Sequence, residues 1–134
     1  MLFRSRGTPA ASTQLLEGLA SATEPWVRNR IAAALGNFRD NKDVAAKLES
    51  LAKDDKSFRT RAASLQAIAK IKAPNALATL NAAVAGDSPD NFLRNAALRA
   101  MGPLGDDSAV PSLREWAVSG KPIETRQEIG RAHV

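Results

Sequence analysis

The sequence predicts an all-α protein, an α-α superhelix of about three full helix pairs with partial units at both ends. Helix-like segments recur with a period of 33 residues, which is the length of a two-helix repeat unit. Aromatic residues make up 4% of the chain and tyrosine is absent, whereas alanine is abundant. This composition favours closely packed helices over sheets.

The first helix of each unit combines an arginine with an apolar stripe. Arg28, Arg61 and Arg94 share one register of the repeat. Apolar residues then follow at intervals of three, which places them on one face of a helix. These stripes are Ala32, Leu35 and Phe38; Leu65, Ile68 and Ile71; and Leu98, Met101 and Leu104, so that Leu35, Ile68 and Met101 are equivalent.

A second helix follows in each unit, after a short turn. Its apolar stripes are Val44, Leu48 and Leu51; Leu77, Leu80 and Val84; and Val110, Leu113 and Trp116. The segments GNFRDNKD, KIKAPNA and GPLGDDSA separate the paired helices and supply the residues with which chains reverse direction. Asp43, Asn75 and Ser108 are the predicted N-caps of the second helices.

The repeat predicts how the chain is divided. Units cover about residues 26–57, 58–90 and 91–122, within an array that extends over residues 13–128. Leu15, Leu16 and Leu19 indicate the second helix of an earlier unit, while residues 1–12 show no periodicity and are expected to be disordered. A fourth unit begins near Arg126, but it places His133 where the pattern requires a large apolar residue.

The last six residues, 129–134, are expected to be non-native. Their sequence, IGRAHV, is encoded by ATCGGAAGAGCACACGTC, the start of a common short-read sequencing adapter. We therefore expect the chain to be a translated metagenomic fragment of a longer gene.

Acidic residues lie close to each repeated arginine. Glu24 precedes Arg28, Asp54 and Asp55 precede Arg61, and Asp87 and Asp90 precede Arg94. An arginine at a helix start opposes the helix dipole, so we expect these acids to offset the cost and to join adjacent units. Trp26 and Trp116 fall beside the apolar stripes and are expected to pack in the core or between units.

The composition excludes several kinds of chemistry. The chain has no cysteine and a single histidine, so thiolate metal sites, HExxH zinc sites and Ser-His-Asp catalysis are not expected. No catalytic, cofactor-binding or metal-binding residue is predicted, and no cofactor is expected. The net charge is +5, but the charges are interspersed, so nucleic-acid binding is not favoured. No stretch reaches about 18 apolar residues, so we expect a protein outside the membrane, whose compartment stays undetermined.

The repeated segments resemble a known family. VRNRIAAALGNF, RTRAASLQAIAKI and LRNAALRAMGPLGDDSAVPSL are similar to HEAT-like repeats of the short, bilin-lyase type, in which an arginine is followed by Ala-Ala and then Ala-Leu-Gly. The resemblance implies a solenoid that binds a protein or peptide. Residues of the second helices are the candidates for the partner surface: Lys47, Thr79 and Ser112 in one register, and Glu49, Asn81 and Arg114 in another.

Two further readings remain open. The stretch DSPDNFLRNAALRAMGPLGDDSAVPSLREWAVSGKPIETRQ resembles the C-terminal helical repeat region of bacterial gluzincin zinc aminopeptidases. This would make the partner an intramolecular catalytic domain, whose zinc ligands match no residue here. A bilin-lyase-like protein is the other alternative, with a groove for an acidic tetrapyrrole. Both are alternatives to the first hypothesis for the function of the chain, which is a non-catalytic interaction or scaffold module.

Replacing Leu80 by alanine tests the predicted stripe. A core position should lose about 2 to 5 kcal/mol of unfolding free energy, whereas Lys47→Ala should cost little. Urea denaturation measures both. Equal losses would contradict the assignment of Lys47 to an open surface.

Overall fold

The computed structural model describes residues 9–86, 88–117 and 125–126, and every regular element in these ranges is a helix. This confirms the all-α prediction. The helices are α1 (Pro9–Ser21), α2 (Pro25–Leu35), α3 (Lys42–Asp54), α4 (Phe58–Ile71), α5 (Ala76–Ala85), α6 (Phe92–Leu104) and α7 (Val110–Ala117). Single 3₁₀ turns, Pro89–Asn91 and Asp107–Ala109, precede α6 and α7.

The helices alternate between two rows. We call α2, α4 and α6 the arginine helices, since they carry Arg28, Arg61 and Arg94, and we call α1, α3, α5 and α7 the partner helices. Each of α3 and α5 packs more extensively on the arginine helix that follows it than on the one that precedes it. The tight hairpins are therefore α1–α2, α3–α4 and α5–α6. The sequence analysis paired each arginine helix with the partner helix that follows it. In the structure each arginine helix instead forms its tight hairpin with the partner helix that precedes it.

The two rows differ in spacing. The arginine helices contact one another closely along the array, whereas the partner helices α3 and α5 meet at few points. The arginine helices are therefore the more closely packed of the two rows.

The predicted apolar stripes of the arginine helices form the core. Leu35 and Ile68 are fully buried and Met101 is 2% exposed. The stripes of the partner helices join them, with Val44, Leu48 and Leu80 fully buried. Burying one such side chain contributes about 1.5 to 3 kcal/mol. One continuous core thus runs through the hairpins.

Large and small residues alternate across the hairpins. Gly18 of α1 faces Ile31 of α2, and a Cβ on Gly18 would lie 3.6 Å from Ile31 Cδ1. The equivalent positions hold Leu51 with Ser64 in the second hairpin, and Val84 with Ala97 in the third. One member of each pair is large and the other small, which keeps the packed volume similar between units.

Helix boundaries depart from the sequence prediction at several points. The α1 helix begins at Pro9, so residues 9–12, expected to be disordered, are helical. The α3 cap is Asn41, whose Oδ1 accepts from the amides of Asp43 and Val44. Asp106 likewise accepts from the amide of Ser108. The predicted caps Asp43 and Ser108 were therefore wrong, because an earlier side chain in each turn already reaches the free amides.

The third predicted cap, Asn75, stands at the correct position before α5, although its side chain makes no capping bond. The turn between each arginine helix and the following partner helix contains a residue in the left-handed region. These residues are Asp40, Lys72 and Gly105.

Gly18→Ala and Gly36→Ala should have opposite effects on stability. At Gly18 the added methyl finds ordinary contact, and the helix gains about 0.5 to 1 kcal/mol from the loss of glycine. At Gly36 it would lie 3.2 Å from Ala67 Cβ and 3.1 Å from the Ala33 carbonyl, so α2 and α4 must separate, at a cost of about 1 kcal/mol or more. Urea unfolding of both variants tests the pair, and stabilisation by Gly36→Ala would contradict the close approach.

Candidate functional site

The three repeated arginines bind the ends of the preceding partner helices. Arg28 Nη1 donates to the carbonyl of Leu19 at 3.0 Å, Arg61 Nε to Ala52 at 3.0 Å and Arg94 Nε to Val84 at 2.7 Å. The last carbonyls of a helix lack partners within it and carry partial negative charge. Each arginine therefore offsets the partial negative charge at the end of one partner helix, and it fixes the following arginine helix against that end.

Two of the arginines make additional contacts of the same kind. Arg28 Nη1 also donates to the carbonyl of Ala22, and Arg94 Nη2 donates to that of Gly86 at 3.2 Å. Arg94 Nη1 donates to Asn91 Oδ1 as well. The loops that end the partner helices are thus held by guanidinium groups.

Among the described acids expected to pair with the repeated arginines, Asp55 is the one that does so. In the described ranges the one ion pair joins Arg28 to Asp55, and Arg28 Nε lies 3.1 Å from Asp55 Oδ1. Asp55 belongs to the loop after α3, so it joins consecutive units instead of pairing with Arg61. Glu24, Asp54 and Asp90 form no ion pair with the arginines. Asp87 lies outside the described residues.

The two tryptophans have different environments. Trp116 packs against the core, and the Arg94 guanidinium lies 4.0 Å from the centre of its ring. Trp26 is 64% exposed, so the prediction that it packs inside the array was wrong. It directly follows Pro25, the first residue of α2.

The partner-surface candidates mostly join adjacent units. Glu49 Oε1 accepts from Thr79 Oγ1 at 3.4 Å, and Ser112 Oγ donates to Asn81 Oδ1 at 2.7 Å. Thr79 is 5% exposed. These four side chains are occupied in holding the partner helices in register.

The other two candidates do not join units in this way. Lys47 is half-buried on α3, and Arg114 is exposed on α7. Arg126, the fourth repeated arginine, is partly buried, and its Nε has no hydrogen-bond partner among the described residues. His133 and residues 129–134 lie outside the described residues.

A second set of residues, which sequence reasoning missed, lies together on the arginine helices. Each arginine helix carries one stripe of four residues. The stripe starts in the first turn of the helix, and its later members follow at intervals of four, three and four residues. We call the three stripes the basic face: Trp26, Arg30, Ala33 and Asn37; Arg59, Ala63, Gln66 and Lys70; Phe92, Ala96, Arg99 and Pro103. Ten of these twelve residues are exposed, with Ala63 half-buried and Ala96 buried. Lys70 Nζ donates to Asn37 Oδ1 at 3.0 Å, which shows that the stripes of α2 and α4 share one surface.

The basic face has a distinct charge. The helices α2, α4 and α6 contain no aspartate or glutamate, whereas the face carries Arg30, Arg59, Lys70 and Arg99. Trp26 and Phe92, two of the exposed large apolar side chains, stand at one end of it. Acids occur in the loops before these helices, as with Glu24 and Asp55. The face therefore combines positive charge with aromatic surface.

The described ranges contain no group of three or more side chains suited to a metal ion. None of the helices in these ranges is long and apolar enough to cross a bilayer.

Comparison with family models identifies the repeat. The model described as HEAT repeats matches residues 3–69 and again residues 45–132. The chain belongs to the HEAT repeat family. Comparison with curated proteins and with solved structures gave no match. The HEAT-like class predicted from the arginine and alanine phrases is thus confirmed, and the HEAT repeats make the chain a helical repeat scaffold or interaction module.

Replacing Arg61 by methionine should destabilise this HEAT array. The variant keeps an apolar stem but leaves the Ala52 carbonyl without its donor, which should cost about 1 to 2 kcal/mol. Arg59→Met is the matched control, because Arg59 is exposed and two residues away, and it should change stability by about 0.5 kcal/mol or less. Urea denaturation compares them, and equal values would show that the carbonyl contact contributes nothing.

Proposed function

We propose that this HEAT array is a non-catalytic module that binds a segment of a partner protein on its basic face. The observations that support the proposal are the mostly exposed stripes that the three arginine helices carry in one register, and the hydrogen bond that joins two of these stripes. Stacked repeats provide extended surfaces of this kind for peptides and proteins. Aromatic and arginine side chains supply most of the binding energy at such interfaces.

The packing behind the face supports it as a binding surface. Arg28, Arg61 and Arg94 fix each arginine helix against its partner helix, so the face is held rigidly from behind. Lys70 and Asn37 join two of its stripes at the front. A preorganised surface loses less conformational entropy on binding than a flexible one.

The row of partner helices is a weaker candidate. Thr79 and Ser112 donate to side chains of the preceding unit, and these bonds would have to break before a ligand could use the same groups. Breaking them leaves polar groups unpaired, which costs free energy. The arginine helices offer exposed groups without that cost, as at Arg30 and Arg59.

A more specific form of the proposal concerns the partner. The stretch from Asp87 to Gln127 resembles the C-terminal repeat region of gluzincin zinc aminopeptidases. If the array belongs to such an enzyme, the segment bound on the basic face is part of its own catalytic domain. Reading the gene for an upstream HExxH motif tests this version separately.

Blocking the face should abolish binding of displayed peptides. The chain has no cysteine, so Ala33→Cys introduces a unique thiol at an exposed position in the middle of the face. Peptides selected from a random library against the unmodified protein should bind at least about tenfold more weakly after a neutral polyethylene glycol maleimide is attached there. Fluorescence anisotropy measures the affinity.

The matched control is Ala46→Cys, which changes another exposed alanine, on α3 in the other row. The same label there should leave affinity unchanged. Loss of binding from the label on residue 46 alone would move the binding surface to the partner helices and contradict the proposal.

A further inference from the structure

The starts of the three arginine helices form a row across the array. Trp26, Arg59 and Phe92 are the first members of the three stripes of the basic face, at intervals of 33 residues. Thr60 Oγ1 donates to the Pro25 carbonyl at 3.5 Å, so the first turns of α2 and α4 lie side by side. The same register and an equally extensive contact place the first turn of α6 beside that of α4. We call the three stripe members the helix-start row.

The helix-start row is exposed inside the array. Arg59 lies on α4, which has an arginine helix on each side, and its side chain is exposed. Phe92 is 41% exposed although α4 packs beside its helix. Exposure is therefore a property of this register of the repeat, and it does not depend on the position of Trp26 on the first arginine helix described.

The charge of the row changes sign along the array. Arg59, at its centre, forms no ion pair among the described residues. Glu24 is exposed two residues before Trp26. Asp90 is exposed two residues before Phe92. The row therefore presents a cation at its centre and, on each side, an aromatic ring with a carboxylate near it.

The spacing of the row matches one kind of extended chain. Packed helices lie about 8 to 10 Å apart, measured between their axes. A polyproline II helix has three residues per turn and rises about 3.1 Å per residue, so it returns to the same face after about 9 Å. A β-strand returns to the same face after about 6.6 Å, which is short of the distance between helices. Successive turns of a polyproline II segment that crosses the arginine helices would therefore meet successive members of the row.

We propose that the helix-start row binds a polyproline II segment of a partner protein, in which one acidic residue stands between two apolar residues that are each three positions away. The acidic residue pairs with Arg59, and the apolar residues pack on Trp26 and Phe92. The inference rests on the proposed function and deepens it, because the row belongs to the basic face. It specifies the conformation and the sequence pattern of the bound segment.

The side chains of the row suit such a ligand. Aromatic surfaces bind proline-rich segments well, because the polyproline II conformation is largely formed before binding and little conformational entropy is lost. Trp26 is 64% exposed and Phe92 is 41% exposed, so both rings have surface available for an apolar side chain. The guanidinium of Arg59 can donate two parallel hydrogen bonds to one carboxylate. Each member of the row thus has a matching group on the ligand.

A polyanion is a poorer occupant of the row. A nucleic acid or a run of acidic residues would carry negative charge past Glu24 and Asp90 as well as past Arg59. Like charges that face each other across an interface are unfavourable and disfavour that partner. A single carboxylate at the centre avoids both acids. The charges around the row therefore select one acidic residue per segment.

Synthetic peptides test the proposal on the whole chain. The probe is Leu-Pro-Pro-Glu-Pro-Pro-Leu with blocked ends. One control has glutamine in place of glutamate, and a second has glutamate in place of both leucines. A third has one more proline on each side of the glutamate, which moves the leucines off its face. The probe should bind at least about tenfold more tightly than each control, as measured by the fluorescence anisotropy of labelled peptides.

A charge reversal locates the acidic residue of the ligand. Arg59→Glu should weaken the probe about tenfold and should strengthen binding of a probe with lysine in place of glutamate. Arg39→Glu is the matched control and should alter neither affinity. Arg39 is an exposed arginine in the loop after α2, at the opposite end of the arginine helices from the row. Both positions are exposed, so circular dichroism should show intact folding in each variant.

The two tryptophans report where the probe binds. The indole N–H signal of Trp26 in nitrogen-15 NMR spectra should shift when the probe is added. The signal of Trp116, which packs against the core, should stay in place. Trp26→Ala removes one of the two signals and so assigns them, and it should also weaken the probe about tenfold.

The remaining outcomes each contradict a defined part of the proposal. If the peptide with the longer spacing binds as tightly as the probe, the polyproline II register is wrong. If the glutamine peptide binds equally or Arg59→Glu has no effect, the role of the acidic residue is wrong. If the peptide with three glutamates binds most tightly, the ligand is a polyanion and the proposal is overturned.

Failure of this proposal can be told apart from failure of the proposed function. If no peptide shifts the Trp26 signal while library peptides still depend on the label at residue 33, the helix-start row is not the binding site and the basic face remains. If neither the synthetic peptides nor the library peptides bind, both proposals are wrong.

Discussion

The array depends on one contact, the bond from an arginine guanidinium to a carbonyl at the end of the preceding helix. Arg28, Arg61 and Arg94 each stand near the start of their own helix, where a cation is unfavourable. The negative end of the neighbouring helix compensates, because the guanidinium lies between the two. The acceptors are backbone atoms of Leu19, Ala52 and Val84, so the contact constrains the path of the chain and leaves the acceptor side chains unrestricted.

Sequence reasoning predicted the helices and the core correctly, because both depend on spacing along the chain. Leu35, Ile68 and Met101 were identified from intervals of three and are buried as expected. The partners of the arginines could not be predicted in this way. Proximity in sequence suggested Asp55 for Arg61, whereas the fold brings Asp55 to Arg28, 27 residues earlier. A repeat period also does not determine at which helix a unit begins. This is why the tight hairpins differ from the predicted pairs.

The close packing among the arginine helices was missed for a related reason. Which row of helices lies closer together depends on side-chain volume at the contacts, and small residues such as Gly36 and Ala67 allow close approach between α2 and α4. The alanine-rich composition of the arginine helices was visible in the sequence and could have indicated it. Trp26 was placed in the core because it lies beside an apolar stripe, yet its register belongs to the basic face, where the equivalent Arg59 and Phe92 are also exposed.

The pairing of a small residue, Gly18, with a large one, Ile31, has a consequence for how such genes can be rearranged. The large and small members of each pair lie 13 residues apart, on the two helices of one hairpin. Recombination with breakpoints in the loop between those helices would pair α1, which carries Gly18, with α4, which carries Ser64. Both residues are small, so a void would remain between the helices. Breakpoints between hairpins would move matched partners together. Duplications that survive in this lineage should therefore carry the hairpin as the inherited unit.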